Sequence, residues 1–220
     1  MVMTADPEPD TPPAFNRCGG HPALDFVNTL DNRFAADGPV ELLGDYGALL
    51  RFAAQSQLVE ARHAAALAKS VSPAAAARAL RAARELREAL AAVLYAGVAG
   101  RPPASADVLL LEQRFQDASR HRELRWQRSA ANTSGPALAS WQWGRFARQA
   151  DLPLWTLAQS ASELVLSHAM ERVRACGADT CRWLFLDTSK NHTRRWCDMK
   201  ICGNRAKARS FQARRIDAEV

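Results

Sequence analysis

The chain has 220 residues, 48% of them hydrophobic and 24% charged, with a net charge of +6. These proportions exclude chain-wide disorder and a small disulfide-stapled scaffold. No run of about 18 apolar residues is present, which predicts no transmembrane helix.

Residues 1–14 carry acids and prolines without a basic start or an apolar stretch. They predict a disordered tail rather than a signal peptide, and hence a cytoplasmic protein. Cys18 follows beside Gly19-Gly20 and reads as a buried or idle thiol; the sequence lends a redox-sensing role no support. From His21 to Arg33, Leu24, Phe26, Val27 and Leu30 interleave with Asp25, Asn28, Thr29, Asp31, Asn32 and Arg33. Polar groups set so densely among apolar ones must be hydrogen-bonded if buried. They either satisfy backbone and helix ends or line a small-molecule site.

Four or five helices are expected across residues 37–175. Asp37-Gly38-Pro39 is a start signal for an amphipathic stretch through Leu42, Leu43, Tyr46, Leu49, Leu50 and Phe52. Ser72-Pro73 is a cap followed by proline at the first helical position. Leu80, Ala83, Leu86, Leu90, Val93 and Leu94 then repeat at three and four, until Gly97, Gly100 and Pro102-Pro103 stop the helix. On its outer face Arg81, Arg84, Glu85, Arg87 and Glu88 fit solvated ion pairing. A further helix spans Ala106 to Ser119.

Leu124–Gln127 and Leu138–Trp143 alternate around Asn132-Thr133-Ser134-Gly135-Pro136 and predict a β-hairpin. Trp141 and Trp143 then share one face, as core or as the wall of a pocket with Asp25, Asn28, Thr29 and Arg33. Asp151 and Pro153 start a last helix that runs through Met170 toward Cys176.

The charge is unevenly placed. Residues 1–170 hold 17 Lys and Arg and 17 Asp and Glu, whereas residues 171–220 hold 12 against 6. A neutral body with a basic end points to a polyanionic partner or to a solvated tail. Four of the five cysteines, Cys176, Cys181, Cys197 and Cys202, fall in that end as two C-x4-C pairs. Each short loop can turn both sulfurs toward one ion, and a hairpin between them brings the loops together. Disulfides are the main rival, disfavoured by the odd total and the absent signal peptide. Iron–sulfur binding usually shows a tighter run. One structural Zn2+ is therefore the expected cofactor, with its coordination sphere filled. His192, lying between the pairs, could replace a thiolate but reads as a surface or phosphate-contacting residue.

Within this segment Arg182–Asp187 predicts a strand with Trp183 and Phe185 on one face and Leu184 and Leu186 on the other. A turn at Thr188–Asn191 and a second strand from Thr193 to Cys197 complete a hairpin. Gly203-Asn204 offers a turn and cap for a basic helix from Arg205 to Arg215. Lys190, Arg194, Arg195, Lys200, Arg205, Lys207 and Arg209 are the candidate phosphate or base contacts. The only acid between Lys190 and Arg215 is Asp198.

Cys181-Arg182-Trp183-Leu184-Phe185-Leu186-Asp187, Arg194-Arg195-Trp196-Cys197-Asp198-Met199 and Cys202-Gly203-Asn204-Arg205-Ala206-Lys207 closely resemble the CGNR zinc finger. His21-Pro22-Ala23-Leu24-Asp25-Phe26-Val27-Asn28-Thr29 resembles the opening of the ABATE domain that precedes such fingers in bacterial proteins and is described as a stress-induced transcription regulator. Together with these patterns, the expected architecture is mainly α: a disordered tail over 1–14, a helical, sensor-like domain with a small β-hairpin over 15–170, and a cysteine and β-hairpin zinc finger with a basic terminal helix over 171–220. The resemblance implies zinc and nucleic-acid binding, DNA before RNA; a small-molecule effector is a further partner expectation, and so is a homodimer, because a single finger buries limited surface on DNA. An RNA-binding zinc ribbon and a zinc-stapled protein–protein adaptor are the alternatives. A third is an enzyme with its pocket around Asp25 and Asn28. Catalysis has little support, because no Gly-rich phosphate loop, G-x-S-x-G or H-E-x-x-H occurs.

Overall fold

A computed structural model describes residues 13–127, 138–208 and 211–212. The residues read as a tail up to Pro12, the turn at Asn132–Pro136, and Arg209, Arg214 and Arg215 lie outside the described residues. The described chain is mainly helical, with three two-stranded antiparallel ribbons. In chain order the elements are α1 (Pro22–Val27), β1 (Leu30–Asp31), β2 (Val40–Glu41), α2 (Tyr46–Gln55), α3 (Ala61–Ser70), α4 (Pro73–Val98), α5 (Ser105–Arg120), β3 (Glu123–Gln127), β4 (Leu138–Gln142), α6 (Leu152–Val165), β5 (Val173–Ala175) and β6 (Leu184–Leu186). Among the described residues no helix is long and apolar enough to cross a membrane.

The longest helix follows its sequence signals. Ser72 accepts from the Ala75 N–H at 3.3 Å with Pro73 in the first turn. Its stripe of Ala83, Leu86, Leu90 and Leu94 is fully buried. Loss of solvent around one such leucine contributes about 1.5–3 kcal/mol. The same core holds Leu49 and Phe52 of α2, Leu157 and Leu164 of α6, and Leu24, Phe26 and Val27 of α1. α1 is only six residues long, yet Ala23 to Val27 are all buried in it. It touches α4, α6 and β6, so the opening motif forms the centre of the molecule.

Several expectations change. Asp37-Gly38-Pro39 does not start a helix, because Val40 and Glu41 pair with Asp31 and Leu30 as a ribbon. The cap is Asp45, whose carboxylate accepts from Ala48 N at 2.6 Å. α6 does not run into the cysteines: it ends at Val165, and a 3-10 turn at His168–Arg172 precedes β5. Thr193 to Cys197 is not a strand. Its backbone groups bond elsewhere, with Arg194 N on the Asp187 carboxylate and Arg195 O on Gly177 N.

Arg87 does not lie on a solvated face. It is 2% exposed and bonds Glu41 through two parallel contacts of 2.7 Å, with Thr29 and Glu88 completing its partners. A buried guanidinium needs such a fork of acceptors. β3 and β4 pair as expected, with Leu124 opposite Trp141. The two tryptophans part company, however. β4 ends at Gln142, and Trp143 turns inward to stack 6.4 Å from Trp155, while Trp141 stays 58% exposed beside Arg122. Trp141 is therefore not core.

Candidate metal centre

Each cysteine loop is shaped by local hydrogen bonds. Cys181 N and Arg182 N both bond Ala178 O, and Cys176 N bonds Trp183 O at 2.8 Å. The second loop is capped by Asp198, whose Oδ1 accepts from Lys200 N at 2.6 Å and Ile201 N at 3.1 Å. Met199–Gly203 then forms a π-helical turn that continues as α-helix over residues 204–208. Gly203-Asn204 is consequently inside a helical run and is not its cap. A Cβ at Gly203 would lie 2.4 Å from Met199 Sδ, so a side chain there would make the exposed Met199 side chain swing aside. Gly177 N on Arg195 O, at 2.8 Å, joins one loop to the other.

Together these bonds gather Cys176, Cys181, Cys197 and Cys202 so that all four sulfurs lie within 4.8 Å of one another. Cys181 Sγ is 3.6 Å and Cys202 Sγ 3.7 Å from Cys197 Sγ. Tetrahedral thiolates at about 2.3 Å from Zn2+ stand roughly 3.8 Å apart. A disulfide would need about 2.05 Å, and all five cysteines are free. The donor set thus fits one zinc ion with no open position, which makes the metal structural. His192 is exposed and outside the tetrad, its Nδ1 resting 3.3 Å from Asp187 O.

The electrostatics agree. Without a cation the sulfurs share protons unevenly. Hydrogen bonds from Cys181 and Cys197 hold the Cys176 thiol far below its ordinary value, while the bond to Cys176 pushes Cys181 up to about 12 and Cys197 upward too. Four thiolates can coexist here only around a divalent ion, which replaces those protons.

The surroundings fall on the two faces of β6 that the alternation predicts. Phe185 packs with Cys176, Ala178, Cys197 and Cys202, with Trp183 against them. Leu184 belongs to the helical core and Leu186 lies against it. Asp187 is fully buried and accepts from Ser189 N, Ser189 Oγ and Arg194 N. The Ser189 bonds hold its carboxyl below the usual carboxylate range and fix the 187–194 turn.

The centre is tied to the helical body through the opening motif. Asn28 Nδ2 donates to Leu184 O, and Leu184 N donates to Asn28 Oδ1, both at 2.9 Å. Leu186 N bonds Gly19 O, Trp183 Nε1 bonds Asp31, and Tyr95 Oη bonds Arg182 O. Gly19 itself must lack a side chain. Its N–H reaches Asp25 Oδ1 at 2.8 Å, and a Cβ would sit 2.7 Å from that oxygen. Burial pushes the Asp25 carboxyl up to about 6, against the lowering effect of that bond.

These contacts dissolve the pocket expected from sequence. Asp25, Asn28 and Thr29 are buried and hydrogen-bonded within the protein, Thr29 to Phe26 O and Arg87. Arg33 pairs with Glu88. Trp141 and Trp143 line a different cavity, beside Val59, His63 and Leu152. The six residues do not share a site.

Of the candidate phosphate contacts, Lys190, Arg195, Lys200, Arg205 and Lys207 are exposed around the centre. Arg209 lies outside the described residues. Arg194 is different: its guanidinium lies over Phe185 and donates to Trp196 O, Cys197 O and Cys18 O. It is a structural clamp, a role that its charge concealed in the sequence. Sequence reasoning also missed Cys18, which packs against the sulfur cluster across some 160 intervening residues.

No curated protein matches the chain. A family model for the CGNR zinc finger matches residues 172–215, around the four sulfurs. The ABATE model, described as "Putative stress-induced transcription regulator", matches residues 20–168 and so covers more than half of the length. The chain is a zinc-binding member of the ABATE family with a CGNR zinc finger at its C-terminal end.

Proposed function

We propose that this protein binds nucleic acid, DNA before RNA, as a transcription regulator rather than an enzyme. Residues 15–170 form the helical body, and residues 171–220 are the segment that meets the phosphates. The observation that carries the reading is the set of five exposed cations, Lys190, Arg195, Lys200, Arg205 and Lys207, around a metal-fixed fold. A rigid cationic surface neutralises phosphates with little loss of side-chain and backbone freedom. Arginine additionally matches guanine edges in the major groove. A single finger covers little DNA, which favours action as a dimer.

The test is fluorescence anisotropy with labelled duplex DNA and structured RNA at two salt concentrations. Affinity should fall with salt by about 0.9 log units per log unit for each phosphate contact. Arg205→Ala should weaken binding without releasing zinc. Absence of binding to either polymer at low salt would instead favour a zinc-stapled protein adaptor.

A further inference from the structure

The metal centre has a fifth sulfur beside it. Cys18 sits outside the tetrad, yet it packs against the cluster that holds the ligand Cys197. One guanidinium holds the two residues together, since Arg194 donates to Cys18 O at 3.3 Å and also to Cys197 O. The Asn16 carboxamide accepts from Cys18 N at 3.0 Å, and the next residue anchors β6 through Gly19 O. Cys18 is therefore fixed against the centre by backbone bonds on both sides.

A cavity of about 280 Å³ is lined by Cys18, Cys181, Cys197 and Cys202, with Asp198 and Arg205 at its wall. A hydroperoxide fits such a space easily and needs only to reach a sulfur.

We propose that Cys18 is an oxidation site that withdraws Cys197 from the zinc ligands when a hydroperoxide enters this cavity. The Cys18 sulfur attacks the O–O bond, giving the sulfenic acid and hydroxide. The Cys197 thiolate then attacks the sulfenyl sulfur, the S–O bond breaks, and a Cys18–Cys197 disulfide forms with loss of a second hydroxide. With hydrogen peroxide the thiol proton ends on one hydroxide. One thiol, one thiolate and H2O2 thus become one disulfide, H2O and OH−. Two electrons pass from sulfur to oxygen. The centre is left with three thiolates, and the cationic loops lose the ion that shapes them. This inference rests on the metal reading of the four sulfurs and extends it to regulation.

The experiment uses the full-length zinc-loaded protein. Zinc is assayed before oxidation, then its release on adding hydrogen peroxide is followed with a colorimetric chelator, alongside non-reducing peptide mass mapping. The expected result is release together with a Cys18–Cys197 linked peptide, reversed by dithiothreitol and added zinc. Cys18→Ser should load zinc fully and release it about tenfold more slowly, because the first sulfur to react is gone. Equal release rates in the two proteins would overturn the proposal, as would disulfides confined to the four ligands. A preparation without zinc before oxidation would overturn the metal reading itself and this inference with it.

Discussion

The helical body and the cysteine segment are stabilised by different physics. The body buries a continuous apolar core from α1, α2, α4 and α6. The segment's own cluster is small: Cys176, Ala178, Phe185, Cys197 and Cys202, three of them metal ligands. So few side chains cannot offset the entropy of ordering their loops. The segment draws on two outside sources, an ion and the body's opening motif. It is less an independent module than a metal-set extension of α1.

The sharpest break in that comparison is removal of the ion. Chelation, or Cys202→Ser, should abolish zinc content and the ordered cysteine segment while leaving the helical circular dichroism of the body. Structural zinc contributes about 10–16 kcal/mol in small fingers. Loss of the body helices along with the zinc would mean that the two regions fold as one unit.

Leu184→Ala comes next. The residue lies between the two cysteine pairs but is buried in the helical core. Its truncation should cost about 2–5 kcal/mol, measured by thermal or urea unfolding of the whole protein. A stability change confined to zinc affinity would show that the segment does not share the body's core.

Asn28→Ala deletes both bonds to Leu184 and strands a buried N–H and C=O. We expect a loss of about 2–4 kcal/mol, from about 1–3 for each orphaned group less relaxation, together with weaker zinc retention in a competition titration. Unchanged zinc retention would mean that the opening motif only braces the helices.

The smallest effect is a gain, at Asp25. Its folded carboxyl titrates near pH 6 instead of its ordinary value of 3.8. The folded state then binds the extra proton between those values, so this group's contribution falls as pH rises from about 4 to 6. Asp25→Asn keeps an oxygen for Gly19 N without the buried charge. Its advantage over the parent should be absent near pH 4, grow through pH 6 and level off at about 1–3 kcal/mol by pH 7. Denaturation at several pH values reads this directly.

The parts legible in the sequence are those set by local pattern. α4 followed its three-and-four spacing and its Ser72-Pro73 cap, β3 and β4 followed alternation, and the cysteine spacing located the metal. The division of Phe185 from Leu184 and Leu186 came from the two-residue period of a strand. What escaped was non-local. Asn28 meets Leu184 across 156 residues, and Arg87 finds Glu41 across 46. Neither pairing leaves a mark on local periodicity, which reads any arginine as outward-facing. Arg194 looked like a phosphate ligand for the same reason, since its carbonyl partners are backbone atoms with no signature in sequence.

The Asn28 carboxamide has one more consequence. β6 pairs with β5 along one side only, and a ribbon of two strands ordinarily leaves a free margin where a foreign strand can add. Here that margin is sealed: the amide imitates a neighbouring peptide opposite Leu184, and Gly19 O takes the N–H of Leu186. Newly made chains crowded at high concentration are thereby denied this margin of β6 as a template, and its guards are one side chain and one backbone carbonyl.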